Sequence, residues 1–261
     1  MHFNNDSAVG EAYNTSNGTI INDYSDGNNN GTLYTGANSG TTYSSTGGKF
    51  SGAFTFDGKD DYVDFAYSQP YNTPTGLTME VWFKASMLGS QKNILSRYKS
   101  STDYDLSATT SGLMFRLNAA AQLTTLYGGT ITTNTWYHGV ATYDGSKMKI
   151  YLDGVLSASA AMTGDIQSDN ANLTIGNYAP TGGATYAFNG TIDEVAIYNR
   201  SLADWEIADH FERGEEVRNV WMQTRSSADN ITWAGWTGNK EIPQPNEQIT
   251  NKSGEENGTL L

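Results

Sequence analysis

The hydrophobic and polar positions of this chain alternate with a period of two over many short runs. Such alternation, carried by β-branched and aromatic residues and bounded by Gly, Asn and Asp, is typical of half-buried antiparallel strands. The runs with this pattern are residues 53–56, 62–65, 77–83, 113–117, 136–143, 148–152, 173–175 and 192–198. Many short strands at near-regular spacing predict an all-β fold, a sandwich or jelly roll of antiparallel sheets.

Turn and helix signals complete this pattern. Asp-Gly at 144–145 and at 153–154 predicts tight hairpin turns, because Gly accepts a positive φ. One short helix is predicted over 201–213, with Ser201 or Asp204 as its N-cap and Gly214 as its end. The predicted inward face of this helix consists of Trp205, Ile207, Ala208 and Phe211.

The composition changes after Gly214, and we predict a domain boundary there. Residues 1–214 form the predicted sandwich, and 215–261 form a small β-rich C-terminal extension or the start of a truncated second β-module. Residues 217–225 are strand-like, whereas 240–261 are polar and show no clear element. A tail of roughly 45 residues is short for a core of its own.

The charge of the chain narrows the partners it can have. The 261 residues include 15 Lys and Arg against 28 Asp and Glu, a net charge of −13. This argues against nucleic acid as a partner, since nucleic acids attract clustered Lys and Arg. No run of 18 apolar residues occurs, so direct membrane insertion by this chain is not expected. The absence of cysteine excludes a disulfide framework and a thiol nucleophile.

Several segments, in their order and spacing, carry a family resemblance. They are residues 23–32, 53–63, 77–84, 136–145, 150–154 and 188–202, among them the runs AFTFDGKDDYV, LTMEVWFK and FNGTIDEVAIYNRSL. Together they resemble the LamG-like (laminin-G type) domains of the concanavalin A-like lectin/glucanase superfamily. The resemblance implies a concanavalin A-like jelly roll of two antiparallel sheets. It implies less about function, because one fold hosts many activities.

Laminarinase-type glucanases of this superfamily need two glutamates and an aspartate on one strand, in the order Glu-x-Asp-x-x-Glu. The corresponding strand, within 104–117, has no such set. Asp193 and Glu194 are adjacent, so on a strand their side chains point to opposite faces. The histidines, His2, His138 and His210, lie far apart in sequence, and we interpret His138 as a sheet residue. We therefore expect no catalytic residues and no enzyme activity.

The resemblance also implies a structural Ca²⁺ between the last strand and the N-terminal region. Carried over position by position, its ligands are Asp193, the carbonyl of Gly48 and approximately Asn5. Ca²⁺ takes six to eight oxygens, so a carboxylate, carbonyls and water are the expected set.

A second candidate for Ca²⁺ is the loop that contains Asp26, Asn28 and Asn30, which matches the first half of a calcium loop. The Glu expected at its twelfth position is replaced by Ala37, and Asn and Gly also make turns without metal. Asp23 is expected to fix the same turn by hydrogen bonds, with metal binding as the alternative. The acidic turn 57–61 is interpreted as a solvated hairpin turn, with an ion site as the alternative.

Carbohydrate binding needs exposed aromatic rings beside a few polar groups. The strand pattern places Phe56, Trp82, Trp136 and Tyr151 in the core. The candidates for ligand binding are therefore the loop residues Tyr98, Tyr104, Tyr127, Asn177, Tyr178 and Tyr186.

Asn-x-Ser/Thr sequons suggest a compartment. Their frequency favours a glycosylated extracellular protein, although turn-rich β proteins use Asn, Ser and Thr in any case. The candidates for glycosylation are Asn5, Asn14, Asn17, Asn30, Asn172, Asn189, Asn199, Asn230, Asn251 and Asn257.

These observations favour a non-catalytic recognition and adhesion module, extracellular or at the cell surface, as part of a larger surface protein. Its expected partner is a glycan or a surface protein. The alternative is a structural surface-layer or filament subunit that self-assembles through its loops and polar tail, with the strand-like run 217–225 added to the sheet edge of a neighbour. A glycoside hydrolase or lyase is the third hypothesis.

Overall fold

The computed structural model describes residues 16–23, 29–36, 41–67, 75–99, 101–178, 183–217, 248–250 and 256–259. Its strands are β1 Ile20–Ile21, β2 Gly31–Tyr34, β3 Thr42–Ser44, β4 Ala53–Asp57, β5 Tyr62–Phe65, β6 Leu77–Ala85, β7 Lys92–Tyr98, β8 Thr102–Thr109, β9 Gly112–Ala119, β10 Gln122–Gly128, β11 Trp136–Tyr143, β12 Lys147–Leu152, β13 Val155–Ala161, β14 Leu173–Ile175, β15 Asn189–Tyr198, β16 Gln248–Thr250 and β17 Glu256–Thr259. Its helices are α1 Gly183–Tyr186 and α2 Asp204–Val217.

The chain divides into two compact units, Met1–Glu212 and Arg213–Leu261. In the first unit the strands form two antiparallel sheets. The eight-stranded sheet has the order β1-β2-β5-β14-β7-β8-β9-β10, and the seven-stranded sheet has the order β13-β12-β11-β6-β15-β4-β3. The predicted jelly-roll sandwich of two antiparallel sheets is confirmed, and the eight alternating runs predicted within 1–214 all form strands.

The core lies between the two sheets because alternation turns one side of each strand inward. Val81 and Phe83 of β6, Leu106 of β8 and Phe115 of β9 are all fully buried there. Full burial of a side chain of this size stabilises the fold by about 2–3 kcal/mol. The predicted turns also form, and Asp153 and Gly154 both adopt a positive φ between β12 and β13.

Helix α2 packs on the outer face of the seven-stranded sheet. Leu202 and Ile207 pack there with Val140 and Tyr151 in a second, smaller cluster. The prediction that Trp205 faces inward is wrong, since Trp205 is 71% exposed. Trp205 precedes the buried Ile207 by two positions, which is about 200° around a helix, so the two cannot share a face.

The ends of α2 also differ from the prediction. Gly214 lies inside the helix, which continues to Val217. At the start, the Glu206 carboxylate accepts the N–H of Ala203 at 2.8 Å and is held by both terminal nitrogens of Arg200 at 2.7 Å. The Asp204 carboxylate accepts instead from Lys149 and Tyr151, so it does not cap the helix.

Two histidines meet on one buried carboxylate beneath α2. His138 Nε2 of β11 lies 2.7 Å from Glu80 Oε1 of β6, and His210 Nδ1 of α2 lies 3.1 Å from both Glu80 oxygens. Burial raises the pKa of Glu80, but the two histidines outweigh it and the net shift is downward. His138 is a sheet residue as predicted, and the fold brings it close to His210 although the two lie far apart in sequence.

The described part of the second unit contains the antiparallel pair β16–β17. This pair falls within 240–261, where the sequence pattern indicates no element. Most of the strand-like run 217–225 lies outside the described residues. No helix among the described residues is long and apolar enough to cross a membrane.

Candidate functional site

A line of polar residues crosses the outer face of the eight-stranded sheet. The neighbouring residues along each strand point into the core, so the alternation of the strand directs these polar side chains outward. We call this line the polar row; its members pair from strand to strand in the order Thr32, Asp64, Thr174, Ser96, Asp105, Arg116 and Thr125.

An ion pair lies at the centre of the polar row. Arg116 Nε lies 2.6 Å from Asp105 Oδ2, and Ser107 Oγ donates to Asp105 Oδ1 at 3.0 Å. The Asp105 side chain is fully buried, whereas that of Arg116 is 17% exposed. Burial raises the pKa of Asp105 to about 6, although the Arg116 charge and its hydrogen bond oppose the shift.

A second carboxylate on β8, Asp103, is also fully buried. Its Oδ2 lies 3.5 Å from Arg97 Nε, and its Oδ1 accepts the N–H of Asp169 at 3.3 Å. Burial raises the pKa of Asp103 to about 6, and the Arg97 charge opposes this shift. Each of the two β8 carboxylates is therefore paired with an arginine.

Three tyrosine rings stack beside the polar row. We call Tyr98, Tyr178 and Tyr186 the tyrosine stack. The ring centroids of Tyr98 and Tyr178 are 4.4 Å apart, and those of Tyr178 and Tyr186 are 4.9 Å apart. The Arg116 guanidinium lies 5.1 Å from the Tyr178 ring centroid, so the stack and the ion pair are in contact.

The local sequence holds the stack in place. Gly176 turns the chain after β14 with φ +89, and a side chain there would collide with Phe56. Asn177 then fixes the turn, since its Oδ1 accepts the N–H of Tyr178 at 2.7 Å. Lys92 Nζ donates to two carbonyls of α1, those of residues 184 and 185, and so supports the helix that carries Tyr186.

Several buried polar atoms around the row lack a hydrogen-bond partner in the protein. Buried polar atoms are usually paired, and an unpaired one is commonly explained by strain, a catalytic role, or a water molecule or ion. They are Asn93 Nδ2, Ser96 Oγ, Arg116 Nη2 and Asn118 Oδ1.

The fold of this chain is similar to that of known proteins. The family model of the concanavalin A-like lectin/glucanases superfamily matches residues 57–208. The chain belongs to this superfamily. Among curated proteins, none matches the chain.

Solved structures of similar shape share little sequence with this superfamily member. The binding domain of Paraclostridial Mosquitocidal Protein 1 has a TM-score of 0.61 and 15% identity, with 77% of this chain and 50% of that domain covered. The botulinum neurotoxin serotype G binding domain has a TM-score of 0.56 and 14% identity, with 76% and 51% covered. This chain therefore spans about half of these two binding domains.

A third similar structure is close to this chain in extent. It is domain 4 of AbnA, an extracellular arabinanase of family GH43 from Geobacillus stearothermophilus, in complex with arabinotriose. The TM-score is 0.56 and the identity 19%, with 74% of this chain and 98% of that domain covered. At these identities the likeness concerns the fold alone.

The structure brings together half of the ligand-binding residues predicted from sequence. Tyr98, Tyr178 and Tyr186 form the stack, and Tyr127 lies 47% exposed on the same outer face of β10. Tyr104 is wrong as a loop candidate, because it is a fully buried core residue of β8.

Two other residues change their expected roles. Asn177 is 2% exposed, so it orients Tyr178 and does not itself face a ligand. Trp136 was expected in the core but is half-buried, with Lys84 Nζ 5.0 Å from its ring centroid. The sequence pattern did not indicate Asp105 and Arg116 as residues of the candidate binding site.

Asp193 and Gly48 lie in contact, since a Cβ at Gly48 would be 2.7 Å from Asp193 Oδ2. The Asp193 carboxylate accepts N–H groups from Lys49 at 2.9 Å, Phe50 at 3.2 Å and Glu194 at 2.9 Å. Three donors leave about one lone-pair direction free, so this donor set fits a Ca²⁺ ion poorly. Calcium at Asp193 stays a prediction, and the contacts give this carboxylate the role of fixing the turn at 48–50.

The structure describes only part of the second predicted calcium loop. Asp23 Oδ2 accepts the N–H of Asn29 at 3.0 Å, and Asn30 Oδ1 accepts the N–H of Asp23 at 2.8 Å. Both contacts fix the turn, the role expected of Asp23. Asp26 and Asn28, like Asn5, lie outside the described residues.

The described sequons differ in how available their side chains are. Asn172 Nδ2 donates to both Asp64 oxygens, and Asn189 Nδ2 donates to the Asp57 carbonyl. Asn199, Asn17 and Asn30 are exposed. Since glycosylation modifies Nδ2, the exposed sites are the better acceptors, and occupancy stays a prediction for all of them.

Proposed function

We propose that this chain is a non-catalytic carbohydrate-recognition module that binds a glycan on the outer face of the eight-stranded sheet, outside the cell. The observation that carries the proposal is the contact between the tyrosine stack and the Asp105–Arg116 pair. Tyrosine rings offer flat apolar faces to the C–H groups of a sugar ring.

The polar groups beside the stack match the hydroxyl pattern of a sugar. Arg116 offers N–H donors at fixed angles, and its side chain is 17% exposed. The Arg116 charge is already neutralised by Asp105 at 2.6 Å. We therefore expect a neutral oligosaccharide to bind in preference to an acidic one.

The pairing of both β8 carboxylates supports a role in binding without catalysis. A glycosidase needs one carboxyl group free to protonate the leaving oxygen and a second free to attack or to activate water. Asp103 and Asp105 are fully buried, and each is held by an arginine. The arabinotriose complex of AbnA domain 4 is consistent with this proposal, because that domain has the same fold.

The test is a neutral-glycan array followed by calorimetry on the best ligand. Tyr178→Ala is expected to weaken binding at least about tenfold, because it removes the central ring of the stack. The matched control is Trp205→Ala, which removes an exposed aromatic ring on α2, over the other sheet. Silence across the array, or an equal loss in both variants, would contradict the proposal.

The same ligand separates binding from hydrolysis. After prolonged incubation with the protein, chromatography is expected to show the oligosaccharide at its original length. Shorter products that disappear in Asp105→Asn would favour the glycosidase hypothesis.

Self-association is the second candidate function, favoured by one specific observation. The edge strand β13 exposes Val155 by 67% and Leu156 by 45%, and unpaired strand edges can add to a neighbouring sheet. Light scattering coupled to size exclusion distinguishes the candidates. A mass that stays that of one chain over a hundredfold range of concentration supports the recognition module, and steady growth supports a filament subunit.

A further inference from the structure

The turn between β4 and β5 brings three carboxylates together. One side-chain oxygen from each of Asp57, Asp60 and Asp61 lies within 4.8 Å of the other two. Two oxygens bound to the same Ca²⁺ at about 2.4 Å are at most about 4.8 Å apart. The three oxygens therefore lie close enough together to reach a single ion of this size with small shifts of their side chains.

One oxygen of each carboxylate in this cluster has no hydrogen-bond partner in the protein. Asp57 Oδ2, Asp60 Oδ1 and Asp61 Oδ1 are buried and have no hydrogen-bond partner. Asp61 is only 1% exposed, and its other oxygen accepts the N–H of Asp57 at 3.1 Å. A buried carboxylate oxygen without a partner is unfavourable, so the cluster needs a positive charge.

A neutral oxygen joins the cluster from another part of the chain. Thr41 is 2% exposed, and its hydroxyl makes no hydrogen bond of standard geometry. The hydroxyl lies beside the Asp61 carboxylate. A buried hydroxyl in this position is the kind of neutral ligand that Ca²⁺ accepts.

The charge of the turn is not balanced by its own residues. The cation in contact with the cluster is Lys59, whose Nζ lies 3.5 Å from Asp57 Oδ2 and whose side chain is 58% exposed. Three carboxylates and one ammonium leave two negative charges. A divalent cation would neutralise them.

We propose that Asp57, Asp60 and Asp61, with the Thr41 hydroxyl, bind one Ca²⁺ ion in this turn. All the ligands are oxygens, which excludes the nitrogen and sulfur sites that zinc prefers. The spacing suits Ca²⁺ better than Mg²⁺, which demands near-octahedral geometry at about 2.1 Å. This site is separate from the one predicted at Asp193 and does not depend on glycan binding.

The position of the turn gives such an ion a structural effect. β4 belongs to the seven-stranded sheet and β5 to the eight-stranded sheet, so the turn joins the two. The carbonyl of Asp57 also accepts a hydrogen bond from Asn189 of β15 at 2.9 Å. An ion held here fixes the crossover between the sheets and is expected to raise the melting temperature.

The test is calorimetric titration of the EDTA-treated full chain with CaCl₂, for the unchanged protein and for Asp60→Asn. Asp60→Asn is expected to lose one bound Ca²⁺ per chain or to bind it at least about tenfold more weakly, because it removes one charged ligand. The control is Asp165→Asn, which makes the same charge change at an exposed position and is expected to leave binding unaltered.

A second variant tests the site without altering a ligand. Lys59→Gln removes the competing cation, so it is expected to bind Ca²⁺ at least as tightly as the unchanged protein. Three results would each overturn the proposal: no Ca²⁺ binding by the unchanged protein, undiminished binding by Asp60→Asn, or weaker binding by Lys59→Gln. Binding that survives in Asp60→Asn would place the ion elsewhere, as the prediction at Asp193 does.

Discussion

The buried carboxyl of Asp105 is expected to make the protein more stable as the pH falls from 7 to 5. Burial raises the pKa of Asp105 from 3.8 to about 6 in the folded protein, against the opposing effect of Arg116. Between these two values the folded state holds a proton that the unfolded state has released. Stability therefore rises as the pH falls through this window, the reverse of ordinary acid denaturation.

The size of the effect follows from the shift. One pKa unit corresponds to about 1.4 kcal/mol, so a shift of about two units corresponds to about 3 kcal/mol between the fully protonated and fully ionised limits. Only part of this lies between pH 5 and 7. A single group with the two pKa values of Asp105 contributes about 1.3 kcal/mol more stability at pH 5 than at pH 7.

The assay compares the unchanged protein with Asp105→Asn by urea unfolding, followed by tryptophan fluorescence at pH 7, 6 and 5. Asp105→Asn lowers stability throughout, because Arg116 loses its ion pair, but it also removes the titration. Its change in stability from pH 7 to pH 5 should be about 1.3 kcal/mol less favourable than that of the unchanged protein.

Subtracting the change in stability of Asp105→Asn from that of the unchanged protein removes the contributions of other titrating groups. These include the carboxyls of Asp103 and Asp193, whose pKa values burial also raises to about 6. Asp165→Asn, at an exposed position, is the control and should keep the full pH dependence. If Asp105→Asn and the unchanged protein show the same pH dependence, the pKa of Asp105 is not raised and the reasoning is refuted.

Three further substitutions test other contacts. Glu80→Gln is expected to cost about 2 kcal/mol in urea unfolding, because a neutral amide replaces the charged acceptor shared by two histidines; an unchanged midpoint would contradict that role. Asp193→Ala leaves three N–H groups without their acceptor and is expected to cost about 3 kcal/mol, with or without EGTA during the melt. Gly190→Ala places a Cβ 2.2 Å from the carbonyl oxygen of Lys84 at a residue with φ +148, so we expect a loss of about 3 kcal/mol by calorimetry; wild-type stability would show that the backbone there yields easily.

Sequence predicts the strands whose apolar residues recur with a period of two or in a short run. β5 alternates between half-buried and buried positions because one of its faces meets the core, whereas β11 is buried over its last six residues because α2 covers its outer face. β13 escaped prediction because it is an edge strand of small residues, partly or fully exposed along its whole length. An exposed strand needs no hydrophobic pattern, and its hydrogen bonds to β12 alone define it.

The polar row was harder to predict than the tyrosine stack. Tyr178 and Tyr186 stand out in sequence because they lie in turn-rich segments. Asp105 and Arg116 are eleven residues apart, and their pairing depends on the register of the β8–β9 hairpin. The signal that could have revealed it is the two-residue turn at 110–111, since placing Thr109 opposite Gly112 fixes every pair along that hairpin.

The error at Trp205 has a different cause. Apolar character alone does not determine which face of a helix a residue occupies, and Trp205 lies on the side away from the sheet.

The calcium ligands carried over by resemblance show a second limit of prediction from sequence. Asp193 does contact Gly48, but which groups satisfy its oxygens depends on the backbone of the turn at 48–50, which the residue types alone do not determine.

Two of the three rings of the tyrosine stack come from a different kind of structure than the polar row. The row is built from strand residues locked in register, whereas Tyr178 follows β14 and Tyr186 belongs to α1, both in connecting segments. Connections tolerate exchange and insertion far better than paired strands do. This division makes the domain suitable as a scaffold for engineering. The segments around Tyr178 and Tyr186 can be randomised to select new ligand specificities, while the Asp105–Arg116 pair in the sheet is left unchanged.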